Sequence, residues 1–329
     1  MKLLITGSTG YIGQKLALAA AQKGYVVHAL VRNPASPNRP LHENIRYFKG
    51  DINDTASIAT AIQGCDAVLH AAALAQLWNK DRNLFYKVNV DGTKNMLQAA
   101  KQEGVKKFLF TSSCAVLGPS YAQPVSEDDP RQNPFENDYE ISKHCAEEVV
   151  REYARNGLHS VIVSPPRVYG PGLETGANAV NAIIKKMLKS RFTFVPDAGN
   201  VVGNYAFIDD VVEGHFKALQ YSVSGEKYIL GGENISYNQF FQTIIQETGR
   251  SIKTIAVPKP VLKAWSAVVF GGCYITGIHT HISPKVIDRL FQNRALSCQK
   301  AVQQIGYTIT PFQKGIQQTV QYLKSNQHA

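Results

Sequence analysis

Six short apolar runs leave this chain little freedom in what it can fold into: LLIT (3–6), VVHALV (26–31), IRYF (45–48), AVLHAA (67–72), KFLFTSS (107–113) and SVIVSPP (160–166). None alternates cleanly with polar residues, so each reads as a strand buried on both faces, as the strands of a parallel sheet are. Helix-like segments lie between them, at 11–23, 54–63, about 80–103 and 137–156. Strand and helix repeated in this way predict an α/β fold, a doubly wound parallel sheet of the Rossmann type. Right-handed crossovers then gather the strand C-termini along one edge, where a ligand is expected.

Beyond Pro166 the pattern loosens. Residues 167–204 hold Gly- and Pro-rich loops around a helix near 177–189. AFI (206–208), a helix from Asp209 to about 222 and KYIL (227–230) read as a return to the sheet, and helices and loops dominate from 231 onward. A chain of 329 residues that is 44% hydrophobic and 18% charged is neither disordered nor a coiled coil. The net charge is +10, but the basic residues are scattered without a Lys/Arg run. Nucleic-acid binding, which needs a clustered patch, is therefore not expected; the charge favours anionic ligands such as phosphates. Cys65, Cys114, Cys145, Cys273 and Cys298 are odd in number and lack metal-ligand spacing, which predicts reduced thiols, a cytoplasmic setting and no metal. The apolar start of MKLLITGSTG meets glycine too soon for a signal peptide. Ala264 to Pro284 is uncharged but interrupted by Ser266, Gly271, Gly272, Thr276, Gly277 and two histidines. That composition predicts a buried helix and an apolar pocket wall rather than stable membrane insertion.

The first strand runs into Thr6-Gly7-Ser8-Thr9-Gly10-Tyr11-Ile12-Gly13. Glycines at 7, 10 and 13 keep such a turn tight, admit a pyrophosphate to the backbone N–H groups and let the next helix pack closely, its N-terminus aimed at the phosphates. The second strand ends in Val31-Arg32-Asn33, without the acid that usually meets a free ribose 2′-hydroxyl. Arg32 suits a 2′-phosphate in charge and in bidentate geometry, so NADP(H) is expected over NAD(H), with a solvated surface arginine as the alternative. Asp51, followed by Ile52 in GDIND, reads either as an acceptor for the adenine amino group or as a helix N-cap, as does Asp54. His70 reads as a satisfied core histidine. Ala71, Ala72 and Ala73 after it are small enough for the backbone to approach a cofactor closely.

The fifth strand ends in Thr111-Ser112-Ser113, and Tyr139-Glu140-Ile141-Ser142-Lys143 follows on a helix. Tyr139 and Lys143 stand one turn apart on a shared face. An ammonium beside the phenol, together with the cationic ring of an oxidised nicotinamide, is expected to lower the tyrosine pKa and make it a proton donor and acceptor near neutral pH. Ser113 is placed to hold the same substrate oxygen, and Lys143 to hold the nicotinamide ribose. A second Tyr-x-x-x-Lys pair, Tyr11 and Lys15, shows that the spacing alone carries little.

TGSTGYIG, GDIND, HAAA, TSS, YEISK and PPRVYGPG together resemble the extended short-chain dehydrogenase/reductase family over most of the chain. LVRNP, LFYKVNVDGTKNML and SCQKAVQQIGY are similar to its dihydroflavonol-4-reductase-like branch. The resemblance implies a Ser113, Tyr139, Lys143 triad acting with NADP(H). It implies that Asn89 supports the triad through a structural water, where its bland reading is helix N-terminal hydrogen bonding, and that backbone at Pro166 and Val168 borders the nicotinamide. It also implies a homodimer through helices near 80–103 and 137–156. The chain then divides into a dinucleotide-binding domain, 1–167 plus 205–230, and a substrate lobe, 168–204 plus 231–329.

Three reactions compete. Dehydration needs an acid pair after the serine, and this chain has Cys114, Ala115 and Val116. Epimerases of nucleotide sugars carry an Arg before the Phe of a segment resembling Asn204-Tyr205-Ala206-Phe207; here that Arg is missing, although Arg167, Lys185, Lys186 and Arg191 stand nearby in sequence. Phe192, Phe194, Tyr205, Trp265, Phe270 and Tyr274 read either as the wall of an apolar pocket or as the core of the lobe. Reduction of a small-molecule ketone or aldehyde to an alcohol is the expected activity, with epimerisation and a non-catalytic NADP sensor as alternatives.

Overall fold

The computed structural model describes the chain except Leu77, Gly176, Ala177, Ala198, 277–283 and 327–329, and the side chain of Tyr274. Gly277, His279, His281 and the Tyr274 ring thus lie outside the described residues. Among the described residues the strands are β1 (Lys2–Thr6), β2 (Val26–Val31), β3 (Ile45–Lys49), β4 (Ala67–His70), β5 (Lys107–Thr111), β6 (Ser160–Ser164), β7 (Arg167–Tyr169), β8 (Phe192–Pro196), β9 (Val202–Phe207), β10 (Lys227–Ile229), β11 (Glu233–Ser236) and β12 (Lys253–Val257). The helices are α1 (Tyr11–Gln22), α2 (Thr55–Ile62), α3 (Asn83–Tyr86), α4 (Gly92–Gln102), α5 (Asp138–Arg155), α6 (Ala179–Lys189), α7 (Ile208–Tyr221), α8 (Tyr237–Thr248), α9 (Lys259–Thr276), α10 (Pro284–Leu290), α11 (Gln299–Ile305) and α12 (Phe312–Ser325).

The six apolar runs form the parallel sheet they predict. With β10 they give seven strands in the order β10-β6-β5-β4-β1-β2-β3. Both faces are apolar because successive side chains alternate sides. Leu3 and Ile5 of β1, Leu69 of β4 and Val161 of β6 enter one core with α1 and α7, while Leu4, Val68, Phe108, Phe110 and Ile162 enter a second core with α2, α4 and α5. The chain lays β2 and β3 on one side of β1, then returns to place β4 on the other. The C-terminal ends of β1 and β4 therefore flank a topological switch point, where open α/β sheets take their ligands.

Three details depart from the sequence reading. AFI does not rejoin the main sheet: β9 pairs with β7 and β11 in a separate sheet of three strands, and only the KYIL strand returns, as β10. Tyr205 and Phe207 of β9 are instead held in a third core with Tyr169, Phe240 and Phe312, where the Tyr205 and Phe240 rings stack 4.8 Å apart. A further pair, β8 with β12, lies in segments read as loop or helix. Finally, α9 is not a buried helix, for Val268 and Ile275 stand in solvent.

Beneath the strand ends α5 carries a buried ion pair. The Lys227 ammonium lies 2.8 Å from Glu147, both side chains almost wholly enclosed, and the Ser112 hydroxyl donates to the same carboxylate. Removing one member of such a pair leaves a buried charge uncompensated, at about 3–5 kcal/mol, while replacing both by apolar groups of similar volume is close to neutral. Glu147→Ala is therefore expected to lower unfolding stability in urea by about that amount, and Glu147→Leu with Lys227→Met to restore most of it.

Candidate active site

The glycine turn is built against the end of β4. Gly7 has φ +75°, and a Cβ there would lie 2.7 Å from the Ala71 carbonyl and the Ala72 nitrogen. A Cβ at Gly13 would lie 2.1 Å from the Gly7 oxygen, so both positions exclude any side chain. Gly10 closes the turn through its N–H to Gly7 O at 2.9 Å and stands as N-cap of α1 with no side chain to cap it. The α1 N-terminus, with Tyr11, Ile12 and Gly13, keeps its backbone donors aimed at whatever sits in the turn, beside Thr9. This cradle fits a dinucleotide pyrophosphate. The Tyr11 side chain does not face it: burial raises its pKa, and its hydroxyl donates to Gly170 O at 2.8 Å, tying the turn to the segment after β7. Along the same edge, Asp54 is the N-cap of α2, while one Asp51 oxygen holds the Asn53 N–H and side chain. Ile52 is buried against Gly92. Arg32 is exposed just past β2; Arg39 in the same loop donates to Pro34 O and lies over the Tyr47 ring. Pro166 and Val168 are half-buried where β6 passes into β7.

His70 joins this edge to the catalytic side. The single proton of the Thr93 hydroxyl goes to Asn89 O at 2.7 Å, so its oxygen accepts from His70 Nε2 at 3.1 Å. His70 Nδ1 must then accept from the Thr6 hydroxyl at 2.7 Å, and Thr6 accepts from the Ala72 N–H at 3.2 Å. This network assigns the neutral Nε2–H tautomer. Burial, helped by the Lys143 charge, pushes the His70 pKa down to about 3. The histidine is a core group with both nitrogens satisfied, as its place on β4 suggests.

Asn89 continues the chain of bonds from a π-helical turn, Lys87–Asp91, between α3 and α4. Such a turn inserts a residue into the helix and turns a side chain out of the ordinary register. The Asn89 amide accepts from Leu74 N at 2.8 Å and donates to Leu74 O and to Ser142 Oγ, the latter at 2.9 Å. Ser142 in turn donates to Tyr139 O at 3.0 Å. Asn89 thus fixes the α5 turn that carries the tyrosine by direct bonds, in place of the helix N-terminal role of its bland reading.

Ser113 and Tyr139 come together as the sequence predicts. The phenol stands near enough to the Ser113 hydroxyl to feel it, and the same hydroxyl caps the short 3-10 turn Cys114–Leu117 by accepting from Ala115 N. Burial raises the Tyr139 pKa, while Ser113 and Arg289 pull it down. This is a correction to the expected depression by Lys143. The Lys143 ammonium, fully enclosed, donates instead to Thr111 O at 2.7 Å and lies 4.0 Å from the centre of the Phe110 ring. Burial lowers its pKa to about 7. Ser112 faces Glu147, so Ser113 alone of the two serines meets the tyrosine.

Sequence reading missed the cluster that sets this geometry. Arg131 donates to the Ala115 and Val116 carbonyls, both at 2.9 Å, and to Glu140 at 2.8 Å. It therefore clamps the turn capped by Ser113 to the residue next to Tyr139. Glu140, wholly buried, also meets Arg289; Glu136 holds Arg289 at 2.9 Å and Arg294 at 3.1 Å. Glu140 inside YEISK was the one signal available, since a carboxylate beside a buried phenol requires a partner. Beside this turn opens a cavity of about 700 Å³ lined partly by apolar groups, Trp78, Phe135, Ile141 and Phe270, and partly by charged ones, Arg82, Glu136, Asp138, Lys285 and Arg289. Of the aromatics considered from sequence, Phe270 lines it and meets the unforeseen Trp78 edge to face; Tyr205 belongs to the lobe core, and Phe192, Phe194 and Trp265 are exposed.

Residues 3–231 match the sequence profile of the NAD dependent epimerase/dehydratase family. A Synechocystis sp. protein that carries a dihydroflavonol 4-reductase name is 32% identical over 81% of this chain and 76% of its own length. The sterol demethylase protein B of Methylococcus capsulatus is 30% identical, over 80% of this chain and 79% of its own. The 3-beta-hydroxysteroid dehydrogenase of Mycolicibacterium neoaurum is 26% identical, over 93% and 86%. Among solved structures, gox2253 superposes with a TM-score of 0.80 at 27% identity, covering 99% of this chain and 98% of its own. The UDP-glucose 4-epimerase of Thermotoga maritima shares the fold with a TM-score of 0.82 at 22% identity, covering 99% and 100%.

The position of Lys143 has a measurable consequence. Below about pH 7 it is protonated in both the folded and unfolded chain, and the burial penalty is fully present. Between there and its unfolded pKa of about 10.4 only the unfolded chain holds the proton, so this group's contribution to stability rises with pH. Lys143→Met is expected to raise the melting temperature of the nucleotide-free protein near pH 6 and to raise it much less near pH 9.5, as thermal melts at the two values would read.

Proposed function

This chain belongs to the NAD dependent epimerase/dehydratase family, and within it we propose an NADP(H)-dependent oxidoreductase that reduces the carbonyl of an apolar small molecule to an alcohol. The observation that carries the reading is the Tyr139 phenol beside the Ser113 hydroxyl, at the α5 turn that borders a cavity lined by Trp78, Phe135, Ile141 and Phe270 on its apolar side and by Arg82, Glu136, Asp138, Lys285 and Arg289 on its charged side. The dinucleotide, when bound, supplies hydride. The residues that would hold it are the turn Thr6–Gly13, Asp51, Ala71–Ala73, Lys143 and the backbone at Pro166 and Val168.

The rest of the chemistry is the chain's own. Tyr139 passes its proton to the developing alkoxide, and Ser113 donates a hydrogen bond to the same oxygen. Raised by burial, the phenol keeps that proton until an alkoxide, a far stronger base, is there to take it. Asn89, Ser142 and Arg131 hold the two hydroxyls in register. Arg32, free in solvent past β2, with Arg39 in the same loop, supports the choice of a 2′-phosphate. The names of the sterol demethylase protein and the steroid dehydrogenase among the relatives support a polycyclic apolar substrate. A homodimer through α4 and α5 is the assembly we expect.

A second reading, epimerisation of a nucleotide sugar, draws on the arginines beside the site: Arg289 acts on Tyr139, and the buried Arg294, held with it by Glu136, keeps its Nε without a partner. Against it, no Arg stands before Phe207: Asn204 is buried and spent on Gly232 and Asn234, and Tyr205 is packed in the lobe core. Arg167 lies over the Tyr205 ring and Lys185 is paired with Glu174.

Tyr139→Phe is expected to retain NADP(H) affinity while turnover of a hydrophobic ketone falls at least about a hundredfold, the low end for loss of a general acid; near-normal turnover would remove the assignment. Arg32→Ala is expected to weaken NADP(H) far more than NAD(H) in fluorescence titration, whereas equal losses would leave the cofactor choice without support. Stoichiometric oxidation of NADPH marks a reductase, while interconversion of sugar epimers at constant cofactor absorbance marks the second reading.

A further inference from the structure

One stripe of α9 faces solvent without polar cover. Val261, Trp265, Val268 and Ile275 recur at helical spacing and are 56, 51, 77 and 85% exposed. A helix resting on a domain turns such a stripe inward. Here Ser266 is the buried residue, and Phe270 meets Trp78 in the cavity wall. The sheet β8–β12, joined to α9 through Pro258, shows the same inversion. Phe192 and Phe194 are 53 and 57% exposed, with Ile255 opposite Phe194 in register.

Charge selects what can cover these faces. Residues 175–196 contain Lys185, Lys186, Lys189 and Arg191 and no acid; residues 248–287 contain Arg250, Lys253, Lys259, Lys263 and Lys285 and no acid. Glu174 pairs with Lys185 and Asp288 with Lys259 and Lys263, and the remaining cations outnumber nearby acids. A second copy of this chain would bring the same positive field to the contact. A bilayer with anionic head groups would bring the opposite one, and an uncharged helix face flanked by lysines is the pattern of a helix lying in such an interface. The uncharged part of α9, 264–276, is about 20 Å long at 1.5 Å per residue, short of the ~30 Å hydrocarbon core. No helix among the described residues is long and apolar enough to cross a membrane.

We propose that the protein docks reversibly on anionic membrane surfaces through the α9 stripe and the Phe192–Phe194 face, so that the cavity beside Tyr139 is filled by a membrane-dissolved substrate. The helix that meets lipid also walls the cavity through Phe270. The filling of the cavity rests on the reductase reading; the docking does not.

The test is co-sedimentation of the full chain with phosphatidylcholine vesicles, with and without phosphatidylglycerol, at low and high salt. Binding is expected to the anionic vesicles, at least tenfold above the neutral ones and weakened by salt. Val268→Asp with Ile275→Asp is expected to reduce it at least tenfold, and Phe192→Ser with Phe194→Ser severalfold, with thermal melting unchanged in both. Failure to sediment, equal binding to neutral vesicles, or full binding by the aspartate variant would each overturn the docking. So would size-exclusion chromatography in which those aspartates turn a dimer into a monomer, because a second copy would then be the occupant. Turnover of a water-soluble ketone is read separately, and its absence with vesicle binding intact counts against the reductase reading alone.

Discussion

The hydrogen bond between Thr6 and His70 crosses from β1 to β4 at the place where the sheet reverses direction, and most of the site depends on it. On one side it fixes the strand end that feeds the glycine turn. On the other it sets the tautomer of His70, which orients Thr93, whose proton fixes the Asn89 carbonyl. From Asn89 the order passes through Ser142 to the backbone of Tyr139. Every donor and acceptor along this path is used once, and in a dry interior a missing proton would leave an unsatisfied group at a cost of about 1–3 kcal/mol. The glycine turn and the Tyr139 phenol are thereby held in one frame.

Electrostatics around that frame sort into two layers. Beneath the strand ends Glu147 pairs with Lys227, and burial lowers the pKa of the enclosed Lys143 by more than the Glu147 charge raises it. Beside the phenol, arginines and glutamates alternate. Arg131 joins the serine turn to Glu140 and so ties its own loop to the frame around Tyr139.

Much of this was legible in the residues. The six apolar runs gave the main sheet because a strand buried on both faces has to be apolar throughout. Gly7 and Gly13 marked the turn because any Cβ there collides with backbone. Ser113 and Tyr139 were placed by their positions relative to those strands, and Asn89 by the family resemblance alone. What stayed hidden depends on tertiary contact: the use of Lys143 on Thr111 O, the clamp of Arg131, and Trp78 in the cavity wall. β8 and β12 could not be read because Phe192, Phe194 and Ile255 face solvent, and a strand with an apolar outer face gives no inside–outside alternation. α9 misled for the same reason, since absence of charge was read as burial.

The core beneath β1 is completed from far along the chain: Leu296, Cys298, Ala301, Ile305 and Tyr307 pack with Leu3, Ile5 and Leu16. During synthesis the first strands emerge from the ribosome long before these partners exist. The N-terminal half must wait with part of its apolar surface bare, and final closure is a late, long-range event of the slow kind that high sequence separation imposes. A chaperone that shields nascent apolar surface would have its natural point of contact there.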